Sequence, residues 1–271
     1  MTAVITIGID PTIELGPVTI AWHGLTIAIG ILVGGVAAAF DARRRGLDPE
    51  RLYALGTILV VGAVVGGRAF YLLEHGDLAR PSAWLGTTGF TFYGGFIAAA
   101  LGIAYYVLRQ RLSIAYLDAI AAGLPLGVAV GRVGDVINGE HYGPASEFFL
   151  AVRNTHPDAL TPSPDIAYHS GGLYEVMIGA IVFAIVWPLR RRLQPWPLAL
   201  TWLVLALLAV GRFFEFFHRS DSADLALGLE IAQWTSLLLL TIAAAGAWLT
   251  LGRQRPSGRP QQSIAPRDQR A

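Results

Sequence analysis

Seven apolar stretches, separated by short polar links, constrain the fold of this chain more than any other feature. Each is close to the ~20 residues that cross a bilayer as an α-helix, and lipid offers backbone no hydrogen bonds, which favours helices. The sequence therefore predicts an all-α integral membrane protein with seven transmembrane helices. The predicted spans cover 18–40, 52–73, 90–108, 114–133, 171–189, 197–217 and 229–251.

The composition supports a membrane protein and excludes some chemistry. The chain is 54% hydrophobic and 14% charged, whereas a soluble domain carries about 25% charged residues. It has no cysteine, which excludes a disulfide framework, a thiolate metal site and a cysteine nucleophile of its own. All 20 basic side chains are arginine, so the Schiff-base chemistry of a retinal protein is excluded too.

The arginines also predict the orientation. Fourteen of them lie in 41–51, 109–111, 190–192 and the C-terminal tail. By the positive-inside rule the N-terminus is outside and the C-terminus is cytoplasmic. Residues 1–251 then form one membrane domain, with a small extracytoplasmic head at about 134–170 and a disordered cytoplasmic tail at 252–271. Residues 1–16 have no basic start and are not a signal peptide.

A glycine-flanked polar block, residues 131–143, follows the fourth span. Its polar members are Arg132, Asp135, Asn138, Glu140 and His141. A helix end needs only one or two polar residues as a cap, and charges beside a hydrophobic helix are costly without a partner or task. The block therefore predicts a functional site.

The predicted topology brings further polar residues to the same extracytoplasmic end. These are His23, Arg68, Tyr93, Glu175, Arg212 and Glu215, with His169 just before the fifth span. Each one alone also fits a snorkelling side chain or a structural ion pair. Arg212 and Glu215 are expected to contact each other, because residues three apart share a helix face. Together the arginines favour an anion site, and an anion with a membrane address is most simply a phospholipid headgroup.

A metal site is not expected. His23, His141 and His169 are scattered, with no helical pair of histidines and no carboxylate–histidine box. The sequence implies no cofactor and no nucleic-acid partner.

The polar block resembles the signature of the bacterial prolipoprotein diacylglyceryl transferases, commonly G-R-x-G-N-F-x-N-x-E. Other pieces match that family in the same order over residues 16 to about 221. They are Gly16-Pro17 with Trp22-His23-Gly24-Leu25, Gly66-Gly67-Arg68, Phe92-Tyr93-Gly94-Gly95, Asp118, His169-Ser170-Gly171-Gly172-Leu173-Tyr174-Glu175 and Arg212-Phe213-Phe214-Glu215-Phe216-Phe217.

The chain departs from the family pattern at several positions. Asp135 replaces the usual Asn of the signature, His23 the usual Tyr after Trp, and Tyr93 the frequent His before Gly-Gly. A His at position 93 is a candidate base in the family. Arg212 also stands one residue nearer its Glu than is common.

The resemblance implies transfer of diacylglyceryl from phosphatidylglycerol to the lipobox cysteine of a prolipoprotein signal peptide, in a bacterial inner membrane. Arg132 and Arg212 are expected to contact the phosphate, with support from Arg68. The proton acceptor is expected to be a carboxylate, with Glu140 as the first expectation, or the departing phosphate itself. Tyr93 is expected to position the lipid. Asp135, Asn138, Glu175, Glu215, His23 and His169 complete the expected substrate site.

Two other function classes fit parts of the sequence. The same arginines suit a transporter of lipid anions or small anions, although no internal repeat is visible and transporters place their sites near mid-membrane. An intramembrane protease built on Ser170 is a poorer fit, because Ser170 lies at the end of a polar loop.

Overall fold

A computed structural model describes residues 4–16, 18–85, 89, 91–220 and 224–252 of the chain. The predicted tail lies outside these residues, apart from Gly252. So do the side chains of Val18, Leu85, Phe92, Tyr93, Asp224 and Leu251. Over these residues the protein is mostly helical, as predicted. The helices are α1 (Trp22–Arg44), α2 (Glu50–Glu74), α3 (Phe92–Gln110), α4 (Ala115–Gly131), α5 (Val133–Asn138), α6 (Gly171–Leu193), α7 (Ala199–Glu215) and α8 (Ile231–Leu251).

Six helical segments in the described part of the chain are long and apolar enough to cross a membrane. They are Trp22–Arg44, Glu50–Glu74, Ala115–Asn138, Gly171–Leu193, Ala199–His218 and Ile231–Thr250. The predicted third span corresponds to α3, a helix of 19 residues that is not among these six. A multi-pass helical membrane protein is therefore confirmed.

The prediction of a purely helical chain needs a correction, because short strands form outside the long helices. The strands are β1 (Ile5–Ile7), β2 (Thr12–Leu15), β3 (Val18–Ala21), β4 (Tyr142–Ala145), β5 (Val152–Asn154), β6 (Tyr168–Ser170), β7 (Asp224–Ala226) and β8 (Leu229–Glu230). One sheet has the order β1-β5-β6-β4, and β2–β3 and β7–β8 are hairpins. Backbone beyond the helices must still pair its polar groups, and the sheets do this. Because β3 pairs with β2, the first helix begins at Trp22 and not at residue 18.

Glycines allow two pairs of helices to pack closely. A Cβ on Gly30 would lie 2.5 Å from the carbonyl oxygen of Gly127, where α1 meets α4. A Cβ on Gly66 would lie 2.6 Å from the carbonyl oxygen of Gly94, where α2 meets α3. Close backbone approach through small residues is typical of membrane helices. The two tight pairs leave a wide space between them.

A buried ionic network ties α1, α4, α6 and α7 together at the end of α1 that is distant from His23. Asp41 pairs with Arg45 (2.5 Å) and with Arg190 (3.4 Å), and Arg45 reaches Asp118 (3.7 Å). Asp118 also accepts hydrogen bonds from the backbone of Leu198 and from Thr201. Asp118 therefore caps the first turn of α7 from another helix.

Candidate active site

A cavity of about 950 Å³ lies between the helix pairs. At one end it is lined by His23, Arg132, Glu175 and Arg212. The rest of its wall is almost entirely apolar, with residues such as Ile27, Leu55, Leu59, Val107, Leu124 and Leu208. The volume is near the upper end of typical ligand pockets. The shape suits a ligand with one charged end and a long apolar body.

The signature is held against α1 by two contacts that its glycines permit. Thr26 Oγ1 donates to the carbonyl of Gly131 (2.9 Å) and accepts from the backbone N–H of Gly134 (3.0 Å). A Cβ on Gly134 would lie 2.6 Å from the Cα of His23, so a larger residue would push α5 away. This close approach places Asp135 beside His23.

Arg132 and Arg212 converge on one carboxylate. Arg132 Nε lies 2.7 Å from Glu175 Oε2, and Arg212 pairs with the other oxygen of Glu175. Arg132 also donates to Asp135 Oδ2 at 2.6 Å. The side chains of Arg132 and Arg212 stay 29% and 42% exposed, whereas Glu175 is 6% exposed. Two guanidinium groups thus face the cavity from a buried carboxylate support.

His23 lies between the carboxylates of Asp135 and Glu140, and Asp135 in turn contacts Arg132. Its Nδ1 is 2.5 Å from Asp135 Oδ1 and 3.2 Å from Glu140 Oε2. Asn138 donates to the second oxygen of Glu140 at 2.9 Å. Burial raises the pKa of Glu140, but the hydrogen bonds from His23 and Asn138 outweigh it and leave the pKa below its ordinary value. Glu140 is therefore a weaker base than an ordinary glutamate.

His23, Asp135 and Glu140 form a group that could hold a metal ion, since one ligand atom of each lies within 4.8 Å of the others. However, Arg132 already neutralises Asp135 from 2.6 Å. A separation of 2.5 Å between Nδ1 and Oδ1 is a hydrogen bond, and is shorter than the ~3.3 Å between ligand atoms that tetrahedral zinc bonds of ~2.0 Å imply. The geometry fits a hydrogen-bonded cluster better than a metal centre.

Arg219 and His141 extend the cluster, although the sequence prediction gave neither a role. Arg219 Nη2 lies 2.6 Å from His141 Nδ1, and His141 Nε2 lies 3.7 Å from Asp135. Arg219 Nη1 is 3.6 Å from Glu215. The expected pair of Arg212 with Glu215 is thus replaced by Arg212–Glu175 and Glu215–Arg219. The spacing of four residues between Glu215 and Arg219 was the available signal.

His169 lines a different pocket, of about 650 Å³, together with Tyr174, Glu215 and His218. Its Nδ1 lies 2.5 Å from the Tyr174 hydroxyl. Burial, with a smaller effect of His218, lowers the pKa of His169, so its imidazole is neutral at neutral pH. The neighbouring Ser170 accepts a hydrogen bond from the backbone N–H of Leu173 at 3.2 Å. Ser170 is a helix cap here, which does not favour the protease alternative.

Two further predicted site residues, Arg68 and Tyr93, are not joined to the cluster by the contacts described. Arg68 is buried and donates to the carbonyl of Ala83 (3.1 Å from Nε) and to that of Gly89 (2.8 Å). It thereby holds the connection between α2 and α3. Tyr93 lies in the first turn of α3, and its side chain lies outside the described residues.

The arrangement can bind an anion and move a proton in one place. Arg132 and Arg212 offer planar forks of donors, the best geometry for phosphate oxygens. His23, Glu140 and His141 supply titratable groups within the same cluster. The adjoining apolar cavity can shield the long chains of an amphiphile from water.

Comparison with known proteins gives a consistent assignment. Residues 11–249 match the family model described as prolipoprotein diacylglyceryl transferase. Proteins named phosphatidylglycerol–prolipoprotein diacylglyceryl transferase are similar over most of their length. The one from Trichormus variabilis is 32% identical over 94% of this chain and 94% of its own. The one from Geobacillus kaustophilus is 35% identical, with coverages of 86% and 89%. For Pseudomonas putida the identity is 32%, with coverages of 93% and 97%. Because it matches the family model and these relatives over most of its length, this chain belongs to the prolipoprotein diacylglyceryl transferase family.

Proposed function

We propose that this protein transfers the diacylglyceryl group of phosphatidylglycerol to the cysteine thiol of a prolipoprotein lipobox, the first step of lipoprotein maturation. The products are a thioether-linked lipid and glycerol phosphate. The observation that carries the proposal is the cavity with Arg132 and Arg212 at one end and an apolar body, in a chain of this family. A two-chain phospholipid has the same division between an anionic head and apolar tails.

The two arginines bind the phosphate in this proposal. Both are paired with Glu175, and their partial exposure leaves donors free to turn toward a ligand. As the carbon–oxygen bond breaks, negative charge grows on the leaving phosphate, and fixed guanidinium groups stabilise that charge. The acceptor cysteine comes from the prolipoprotein, which fits the absence of cysteine from this chain.

The remaining predicted residues complete the substrate site. Arg68 supports the two phosphate-binding arginines by holding the connection between α2 and α3, Tyr93 positions the donor lipid, and Asn138 with Glu140 shapes the site beside His23. The other substrate-binding residues contact the glyceryl head or the lipobox. They are His23, Asp135, Glu175, Glu215 and His169.

We also propose the membrane arrangement. The chain crosses the bacterial inner membrane seven times, with α3 as the third span, the N-terminus outside and the C-terminus in the cytoplasm. Arg132 and Arg212 then lie near the outer leaflet, and the arginine-rich links 41–51, 109–111 and 190–192 lie on the cytoplasmic side. A site at this depth is accessible to a secreted preprotein.

Reconstitution tests the reaction directly. The purified protein in phosphatidylglycerol vesicles should convert a lipobox peptide to its diacylglyceryl thioether and release one glycerol phosphate per peptide, measured by mass spectrometry. A peptide with Ser in place of Cys is the matched control and should stay unmodified. In cells, the gene should restore lipoprotein maturation in a strain depleted of its own transferase.

The same vesicles address the transport alternative. Movement of a labelled lipid anion or small anion across the bilayer, without any thioether or glycerol phosphate, would contradict the proposed transfer reaction. Family membership favours transfer, because the named relatives are transferases.

A further inference from the structure

We propose that His23 is the group that accepts the proton of the lipobox thiol, and that Asp135 is the residue that positions it. This inference rests on the proposed transfer reaction and adds a role that the signature alone does not assign. In the sequence prediction, His23 is a binding residue and Glu140 is the first expectation for the base.

The hydrogen bonding of His23 fixes the direction of its ring. Nδ1 is 2.5 Å from Asp135 Oδ1, and the Asp135 side chain is fully buried with its other oxygen held by Arg132. In the neutral imidazole, a carboxylate at Nδ1 favours the tautomer with the proton on that nitrogen, which places the lone pair on Nε2. Among the described residues, Nε2 has no hydrogen-bond partner. The side chain is 37% exposed and lines the cavity.

Asp135 has little freedom to move from this position. A Cβ on Gly172 would lie 2.9 Å from the Cβ of Asp135, so α6 packs directly behind it. Gly134 packs against the backbone of His23 on the other side. A carboxylate fixed in this way orients the imidazole and stabilises the imidazolium that forms when Nε2 takes a proton.

The departures of this chain from the family pattern are coupled in the structure. Asp135 and His23 stand where the resemblance implies Asn and Tyr, and these two side chains are hydrogen-bonded to each other. At the third departure, position 93, the chain has Tyr where a His is frequent. An imidazole is thus missing at one position and present at another, where it has a carboxylate partner.

Glu140 is less suited to accept the proton. Both of its oxygens are engaged, by Asn138 and by His23. Beside His23 it can help to stabilise the imidazolium. The charged and titratable groups around the imidazole are Asp135, Glu140, Arg132 and His141.

The step balances within this reaction. Nε2 of His23 takes the thiol proton, and the sulfur attacks the glyceryl carbon that carries the phosphate. The sulfur–carbon bond forms as the carbon–oxygen bond breaks, and the electron pair of that bond leaves with glycerol phosphate. The imidazolium then gives its proton to the phosphate or to water, which restores the resting site.

The test compares variants in the reconstituted assay, once the wild type has been shown to form the thioether. His23→Gln can still donate to Asp135 but cannot accept a proton at neutral pH. It should lower kcat by about 10²–10⁴-fold, with little change in KM for the lipid. His156→Gln is the matched control, because His156 also faces an aspartate, Asp10 at 3.9 Å, and does not line the cavity. It should keep wild-type activity.

Three further readouts separate a base from a structural residue. Added imidazole should rescue His23→Ala, more strongly with more basic imidazoles. The rise of wild-type activity with pH should disappear in His23→Gln. Asp135→Asn should also lower kcat strongly, by up to about 10⁴-fold, because an amide no longer holds the proton on Nδ1 and the wrong tautomer faces the thiol.

Two results would overturn the inference while leaving the transfer reaction intact. One is a His23→Gln enzyme that keeps more than a tenth of wild-type kcat with an unchanged pH profile. The other is a folded His23→Ala enzyme that imidazole does not rescue. A wild type that forms no thioether would instead contradict the proposed function itself.

Discussion

Two charged clusters lie at opposite ends of α1. Both are built on arginine–carboxylate pairs, but the pairs serve different purposes. The signature cluster comprises His23, Arg132, Asp135, Glu140, Glu175 and Arg212. The distal network comprises Asp41, Arg45, Asp118 and Arg190. His23 and Asp41 are 18 positions apart on α1, which corresponds to about 27 Å along a helix.

The clusters differ in exposure and in what surrounds them. Side chains of the distal network are between 2% and 6% exposed, and Asp118 accepts three hydrogen bonds from α7. In the signature cluster, His23, Arg132 and Arg212 are 37%, 29% and 42% exposed and line a cavity. A fully buried arginine–carboxylate pair holds helices together, whereas a partly exposed pair beside a cavity can receive a ligand.

Of the paired changes that compare the two clusters, Arg132→Lys has the largest expected effect. Arg132→Lys keeps the charge but loses the planar fork that spans Asp135 and Glu175. Transfer activity should fall by about 100-fold, as when one donor to a developing anion is removed. Thioether formation in vesicles measures this loss.

Arg45→Lys is the matched change in the distal network. It should lower the thermal stability while activity per folded molecule stays near wild type. Equal losses of activity in both variants would mean that the two clusters are not functionally distinct.

Asp118→Asn should act on stability. The amide keeps one acceptor oxygen but loses the charge that strengthens the bonds to Leu198 and Thr201. The cost is about 2 kcal/mol for hydrogen bonds to a charged group, measured by thermal unfolding in detergent. Asp48→Asn, at an exposed aspartate that caps only its own turn, should change stability little. An Asp118→Asn protein of normal stability but low activity would assign Asp118 to the site.

Tyr93→Phe should have a moderate effect, because it removes one hydroxyl. The loss of a positioning hydrogen bond should lower activity by about tenfold, below the 10²–10⁴-fold of general-base catalysis. Lipid binding and turnover, measured separately, distinguish the roles. A loss near the top of that range with intact lipid binding would make Tyr93 the base and contradict the role of His23.

The smallest expected effect is the acid stability linked to Glu140. The folded-state pKa of this carboxyl is lowered, so its stabilising contribution is present above the unfolded pKa of about 4.3 and is lost as the pH falls through the folded value. When the pH is lowered from neutral through that window, Glu140→Gln should lose less thermal stability than the wild type. Parallel acid curves for the two proteins would show that Glu140 has no net favourable partner.

The sequence by itself determined the mostly helical membrane fold and the family, because both depend on patterns along the chain. Apolar runs of about 20 residues need no tertiary information to predict helices, and the motifs keep their order along the chain. The resemblance also picked out the arginines that border the cavity, Arg132 and Arg212. The strands escaped prediction because pairs such as Ile5 with Val152 join distant segments.

Only the tertiary structure decided which charges meet. Arg212 pairs with Glu175 from another helix and not with the nearby Glu215, and Asp118 caps α7 from a distance of 80 residues or more along the chain. The contact of His23 with Asp135 spans 112 residues and depends on glycines that let α5 approach α1. Hydrogen bonds reach only about 3 Å, so the partners of a charged side chain follow from helix packing, which the order of residues along the chain does not specify.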